Sequence, residues 1–65
     1  NVTIDIFNVM GEKVTTIVDE RKDPGYYFVD WNSRNKFGNS VSAGIYFYQI
    51  RAGDFVKVRK LVLLK

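Results

Sequence analysis

The sequence predicts an all-β domain, a small antiparallel sandwich or barrel of about five strands. Three observations carry that prediction. Apolar residues recur with a period of two along most of the chain, and no segment sustains a helical period. The runs between turns are rich in Val, Ile, Tyr and Phe, the residues that fill pleated, half-buried surfaces. The five glycines (Gly11, Gly25, Gly38, Gly44 and Gly53) are widely spaced and all fall in the turns and loops between these runs.

Residues 2–7 make the first strand, with Val2, Ile4 and Ile6 alternating with Thr3, Asp5 and Phe7. Residues 8–13 contain Gly11 and read as a turn. The β-branched run 14–18 is the second strand. Residues 19–25 form a charged loop closed by the turn signal Pro24-Gly25. Residues 26–31 are the third strand, with Tyr27, Val29 and Trp31 on one face and Tyr26, Phe28 and Asp30 on the other. Residues 32–44 are rich in Asn, Ser and Gly and make the longest loop. Residues 45–51 are the fourth strand. Its face ending on Arg51 (Ile45, Phe47, Gln49) is assigned to water, so Tyr46 and Tyr48 join Ile4, Ile6, Val29 and Trp31 in the core, their hydroxyls reaching backbone groups at the rim. Ala52-Gly53-Asp54 is a hairpin turn, and residues 55–64 are the last strand. There the run Leu61-Val62-Leu63-Leu64 breaks the alternation, which calls for a bulge near Lys60 or for cover on both faces.

One domain spans residues 1–65. A chain of this length buries only about 60% of the surface it exposes when unfolded. It has no cysteine for disulfides and no histidine, which excludes a zinc site of the Cys/His type. With 46% hydrophobic and 15% aromatic residues the composition favours a packed core over disorder. No apolar run approaches transmembrane length. The chain opens on Asn1 with neither Met nor a signal peptide, and reads as a piece of something longer. The net charge of +3 is uneven: residues 51–65 hold Arg51, Lys57, Arg59, Lys60 and Lys65 against the single Asp54, and the first fifty residues carry −1. Such a basic strand either meets an acidic partner or guards a sheet edge against aggregation.

Catalytic chemistry has little to stand on. Ser-His and Cys-His nucleophile pairs cannot be assembled. Ser33, Ser40 and Ser42 lie in one loop with no base near them in sequence, and the seven carboxylates fall in turns or at outward strand positions. No phosphate-binding glycine loop is present. No enzyme activity, cofactor or metal is expected. Asp30, Asn32 and Asn35 could offer oxygens to calcium, but Arg34 and Lys36 sit among them, and Asx turns explain the two asparagines more simply. Tyr26, Phe28 and Phe47 fall on outer strand faces and could make a platform for sugar rings; cross-strand filling or a protein interface would use the same residues.

The order of motifs resembles a known family. The opening Val2-Thr3-Ile4-Asp5-Ile6-Phe7-Asn8-Val9-Met10-Gly11-Glu12-Lys13-Val14 is similar to the start of the C-terminal sorting domains of type IX secretion cargo, and equally to the related Ig-like domain of flagellar hook-capping proteins. The likeness continues through Pro24-Gly25-Tyr26, Val29-Asp30-Trp31-Asn32, Gly38, Ala43-Gly44-Ile45-Tyr46-Phe47-Tyr48 and Gly53-Asp54-Phe55 to Arg59-Lys60-Leu61-Val62-Leu63-Leu64-Lys65, and so covers essentially the whole chain. Ser33 departs from it, standing where that family has glycine after the Trp-Asp/Asn pair.

The resemblance implies an Ig-like β-sandwich lacking its first strand, because family members carry a further strand just before the point where Asn1 stands. The empty slot would accept a strand from another chain. It also implies a non-catalytic module at the end of a larger bacterial cargo, secreted or held at the cell surface. The C-terminal strand would be the address read by the secretion machinery, with Gly53 aiming that strand and Lys60 and Lys65 as the recognised charges. An assembly domain pairing strands with other chains or copies of itself is the second expectation. A carbohydrate-binding module meeting a cell-surface glycan is the third. No nucleic-acid partner is expected.

Overall fold

The computed structural model describes residues 1–21 and 31–64. They form four strands and no helix: β1 (Val2–Phe7), β2 (Lys13–Glu20), β3 (Gly44–Ala52) and β4 (Phe55–Leu63). All pairings are antiparallel, in one sheet of order β2-β1-β3-β4. The expected all-β antiparallel character is therefore present, as a single four-stranded sheet. The strand expected over 26–31 lies outside the described residues except for Trp31.

Register follows from the hydrophobic pattern. Val2, Ile4 and Ile6 of β1 stand opposite Ala52, Ile50 and Tyr48 of β3, and Tyr46 stands opposite Leu61 of β4. A slip of one residue would turn this whole apolar set to the other face. The shared face, here the inner face, holds the most buried of the described side chains, Ile6, at 1% exposure, together with Val18 and Tyr46. Ile4, Trp31 and Tyr48 are half-buried, and Val29 lies outside the described residues. Trp31 meets Tyr46 edge to face at 5.2 Å between ring centroids, a favoured aromatic geometry. The Tyr46 hydroxyl donates to the Ser42 carbonyl at 2.6 Å, which ties the loop before β3 to the core. The opposite, outer face is more polar on β1. There the Thr16 hydroxyl donates to the Asp5 carboxylate, and Lys13 lies 3.9 Å from the same carboxylate.

Three expectations are corrected. Asp19 and Glu20 belong to β2 and not to a loop, because their backbone continues the ladder opposite Thr3 and Val2. No bulge resets the register near Lys60: β3 and β4 pair without interruption from Gly44↔Leu63 to Ala52↔Phe55. The bulges fall between β1 and β2, after Ile4 and after Ile6, leaving Ile17 and Val14 as the extra residues. Finally, β1 is interior, flanked by β2 and β3, so among the described residues the sheet's edges are β2 and β4 and not the opening strand.

The 31–43 segment is ordered by its polar side chains. Asn32 Oδ1 accepts from the Arg34 amide at 3.1 Å, and Asn35 Oδ1 accepts from the amides of Phe37 and Asn39 at 2.9 and 3.0 Å. These are Asx turns, and both candidate calcium oxygens are engaged in them; Asp30 lies outside the described residues. Ser33 is the one described non-glycine residue with positive φ, at 63°, in the left-handed region that an L side chain resists by about 1–2 kcal/mol. Ser33→Gly is expected to raise stability by roughly 0.5 kcal/mol, the relieved strain being offset in part by the added freedom of the unfolded chain. Urea denaturation checks this; a destabilised variant would contradict it.

Candidate recognition site

The C-terminal hairpin carries Arg51, Lys57, Arg59 and Lys60, four of the chain's ten Lys and Arg residues, on one exposed element. Its turn is two residues long, between Ala52 and Phe55. Gly53 has φ of 60°, and Asp54 is not among the residues with positive φ, which matches a type II′ turn with glycine at its first central position. Such a turn carries the right-handed twist of the flanking strands, so Gly53 sets both the register and the direction of β4. The hairpin glycine alone would account for this geometry.

A two-residue turn also fixes which backbone groups face outward. Ala52 and Phe55 form a hydrogen-bonded pair, and the alternation of an antiparallel ladder then leaves Val56, Val58, Lys60 and Val62 with N–H and C=O directed away from β3. Among the described residues β4 pairs with β3 alone. It is one of the sheet's two edges, and its side chains are exposed from Phe55 to Lys60.

The two edges are not equivalent. β2 is bulged twice, and the carbonyl of its extra residue Val14 accepts the Lys36 amide at 3.1 Å. Bulges and covering loops blunt a sheet edge. Among the described residues β4 has neither device: its nine-residue register is regular.

Side chains divide by face. Lys57, Arg59 and Leu61 stand opposite Ile50, Tyr48 and Tyr46, on the inner face; Val56, Val58, Lys60 and Val62 stand opposite Arg51, Gln49, Phe47 and Ile45, on the outer face. Val58 is 55% exposed and Val62 is 58% exposed, so the outer face of this strand is uncovered. The apolar run 61–64 thus has neither a bulge nor cover on both faces. Leu61 and Leu63 are half-buried, while Val62 and Leu64 are exposed. Among the described residues none of Lys57, Arg59 and Lys60 has an ion-pair partner.

The other expected site residues are placed as follows. Lys60 is exposed on the outer face, opposite Phe47. Lys65 lies outside the described residues, as do Tyr26 and Phe28, the other two members of the aromatic patch. Phe47 is half-buried, between Phe7 of β1 and Lys60 of β4. Lys57 and Arg59 were not singled out from the sequence as recognition residues. Their shared face follows from the two-residue turn together with the period of two, and both signals are present in residues 52–60.

Two of the surface depressions lie on or beside the sheet's inner strands and β2. One of about 390 Å³ lies on the inner face, lined by Ile4, Ile6, Ile17, Trp31, Tyr48, Ile50 and Leu61. Its lining is mostly apolar, with the Tyr48 and Trp31 rings among the aliphatic side chains. The other, about 420 Å³, lies beside β2 and includes Thr15, Thr16, Arg34 and Lys36. Its polar groups are partly committed: Arg34 donates to the Gly38 carbonyl at 2.9 Å, and Thr16 donates to Asp5.

No family model matches the chain, and neither the curated proteins nor the solved structures contain a match to it.

Proposed function

We propose that this chain is a non-catalytic β-module that addresses a larger secreted bacterial protein for type IX export and cell-surface attachment, and that β4 is the strand that is read. The observation that supports the reading is the regular, exposed edge strand carrying Lys57, Arg59 and Lys60 in fixed register behind a type II′ turn. The motif order of the sequence supports the same reading. So does the division of labour in the sheet, in which β1, β2 and β3 each supply a buried residue (Ile6, Val18 and Tyr46) and β4 supplies exposed charge. We further take the sheet to be one layer of an Ig-like sandwich, whose second layer would cover the apolar inner face around Ile4, Tyr48 and Ile50.

The test is export of a reporter fused upstream of this domain in a type IX-competent host. Reversing the three charges (Lys57→Glu, Arg59→Glu, Lys60→Glu) is expected to lower the exported fraction about tenfold, the equivalent of about 1.4 kcal/mol of recognition. All three side chains are exposed, so the fold is expected to survive, and circular dichroism verifies that. Unchanged export by a folded variant would refute the reading.

The open edge also favours a second reading, an assembly domain that pairs strands with other chains. Light scattering separates the two: concentration-dependent mass growth supports assembly, and a stable monomer counts against it.

A further inference from the structure

We infer that the edge of β4, unpaired among the described residues, takes an extended, acidic-apolar strand from a partner protein, added antiparallel beside β4. This rests on the reading of β4 as the recognised strand and adds the chemistry of what recognises it; it does not depend on the partner being export machinery.

Three observations lead to this occupant. The first is the backbone. Val56, Val58, Lys60 and Val62 direct donors and acceptors outward in an unbroken row, with no bulge to interrupt an incoming ladder. Edge strands of this kind are templates for β-augmentation. The second is the alternation of side chains. On the outer face the partner would meet Val56 and Val58, which favour a β-branched or aromatic residue opposite them. On the inner face it would meet Lys57 and Arg59, both exposed and without an ion-pair partner among the described residues. The third is the geometry of the pairing itself. Because the outward backbone groups belong to Val56, Val58 and Lys60, the positions opposite Lys57 and Arg59 fall in non-hydrogen-bonded pairs. Facing side chains approach more closely there, with Cα atoms about 4.5 Å apart rather than about 5.5 Å. The two cations therefore sit where a facing residue is felt most, and a carboxylate is the group that fits.

The same charges argue against a second copy of β4 as the occupant, since antiparallel self-pairing would crowd Lys57, Arg59 and Lys60 of both copies along one seam, and like charges opposite each other destabilise. The other edge, β2, is blunted by its bulges and by Lys36 at Val14. The acidic strand is thus expected at β4 only.

The test uses the purified chain and a fluorescein-labelled peptide, Val-Thr-Glu-Val-Glu-Val, read by anisotropy. The expected result is saturable binding at least about tenfold tighter than that of the same peptide with lysine for glutamate. A peptide with glycine in place of each valine keeps the charge but disfavours a strand, and is expected to bind at least about tenfold more weakly. Val58→Pro removes one outward N–H at an edge position that tolerates proline, and is expected to lose the peptide while the far-ultraviolet spectrum is retained. Lys57→Glu with Arg59→Glu is expected to invert the preference toward the lysine peptide. The inference is overturned if no peptide binds, if the glycine and valine peptides bind alike, if folded Val58→Pro binds as the parent does, or if the double charge reversal leaves the preference unchanged. Should Val58→Pro fail to fold, the charge-reversed variant, altered only at exposed side chains, decides alone. Concentration-dependent self-association without peptide binding would instead make a second copy the occupant. Failure here with intact charge-dependent export would leave the export reading standing and remove only the strand-addition chemistry.

Discussion

Ile6→Ala is expected to cost about 3 kcal/mol of folding stability, the mid-range for deleting a fully buried aliphatic side chain. Among the described residues Ile6 is the most buried large one, at 1% exposure, and it sits on an interior strand with a partner on each side, Thr15 of β2 and Tyr48 of β3. The surrounding sheet has little freedom to collapse into the space left behind. The total stability of a domain this size is on the order of 3–10 kcal/mol, so this one change would leave a substantial unfolded fraction. Urea denaturation is the measurement: the midpoint falls with little change of slope. A loss below about 1 kcal/mol would mean that Ile6 does not occupy the centre of the core, since that is closer to the cost of an Ile→Val trim.

Trp31→Ala is expected to be the second most damaging change. Full truncation of a buried Trp costs about 3–5 kcal/mol; Trp31 is half-buried, which places the expectation near the lower end. Three roles end together: the edge-to-face contact with Tyr46, the indole N–H donated to the Arg34 carbonyl at 2.9 Å, and part of the apolar wall shared with Ile4, Ile6 and Ile17. For a domain of this size that corresponds to a fall in Tm of roughly 10 °C or more, read by circular dichroism because the variant has no other tryptophan. Trp31→Phe keeps a ring against Tyr46 and loses the indole donor, so its Tm is expected between those of the parent and the alanine variant. A melting temperature for Trp31→Ala equal to that of the parent would show that the ring is peripheral.

Strand identities were legible because the burial pattern repeats every second residue. Val2, Ile4 and Ile6 could face only one way, and Tyr46 and Tyr48 had to follow once Arg51 was assigned to water. Strand ends were less legible. Asp19 and Glu20 read as loop because charged residues at the end of a β-branched run resemble a solvated turn; only the ladder to Val2 and Thr3 shows that the backbone continues. The run 61–64 was read as a register problem because four apolar residues in sequence suggest two buried faces. The pairing shows a regular strand whose odd and even residues differ in burial, with Leu61 and Leu63 half-buried and Val62 exposed. The bulges at Val14 and Ile17 break the alternation, as Val14-Thr15-Thr16-Ile17-Val18, but a β-branched run reads as a strand whatever its register. At the candidate site, the charge of the final strand was visible as composition. Which cations share a face follows from the period of two, and the two-residue turn at Gly53 fixes which of them stand over the inner face.

Central to the functional reading is that β4 is an open edge with alternating backbone availability, and amide hydrogen exchange along residues 55–62 tests it most directly. The predicted result is a two-residue alternation: the amides of Phe55, Lys57, Arg59 and Leu61, bonded to β3, exchange at least about tenfold more slowly than those of Val56, Val58, Lys60 and Val62, which face solvent. Uniform protection of all eight would contradict the open edge by showing that another strand already occupies it, and uniform rapid exchange would contradict the hairpin itself.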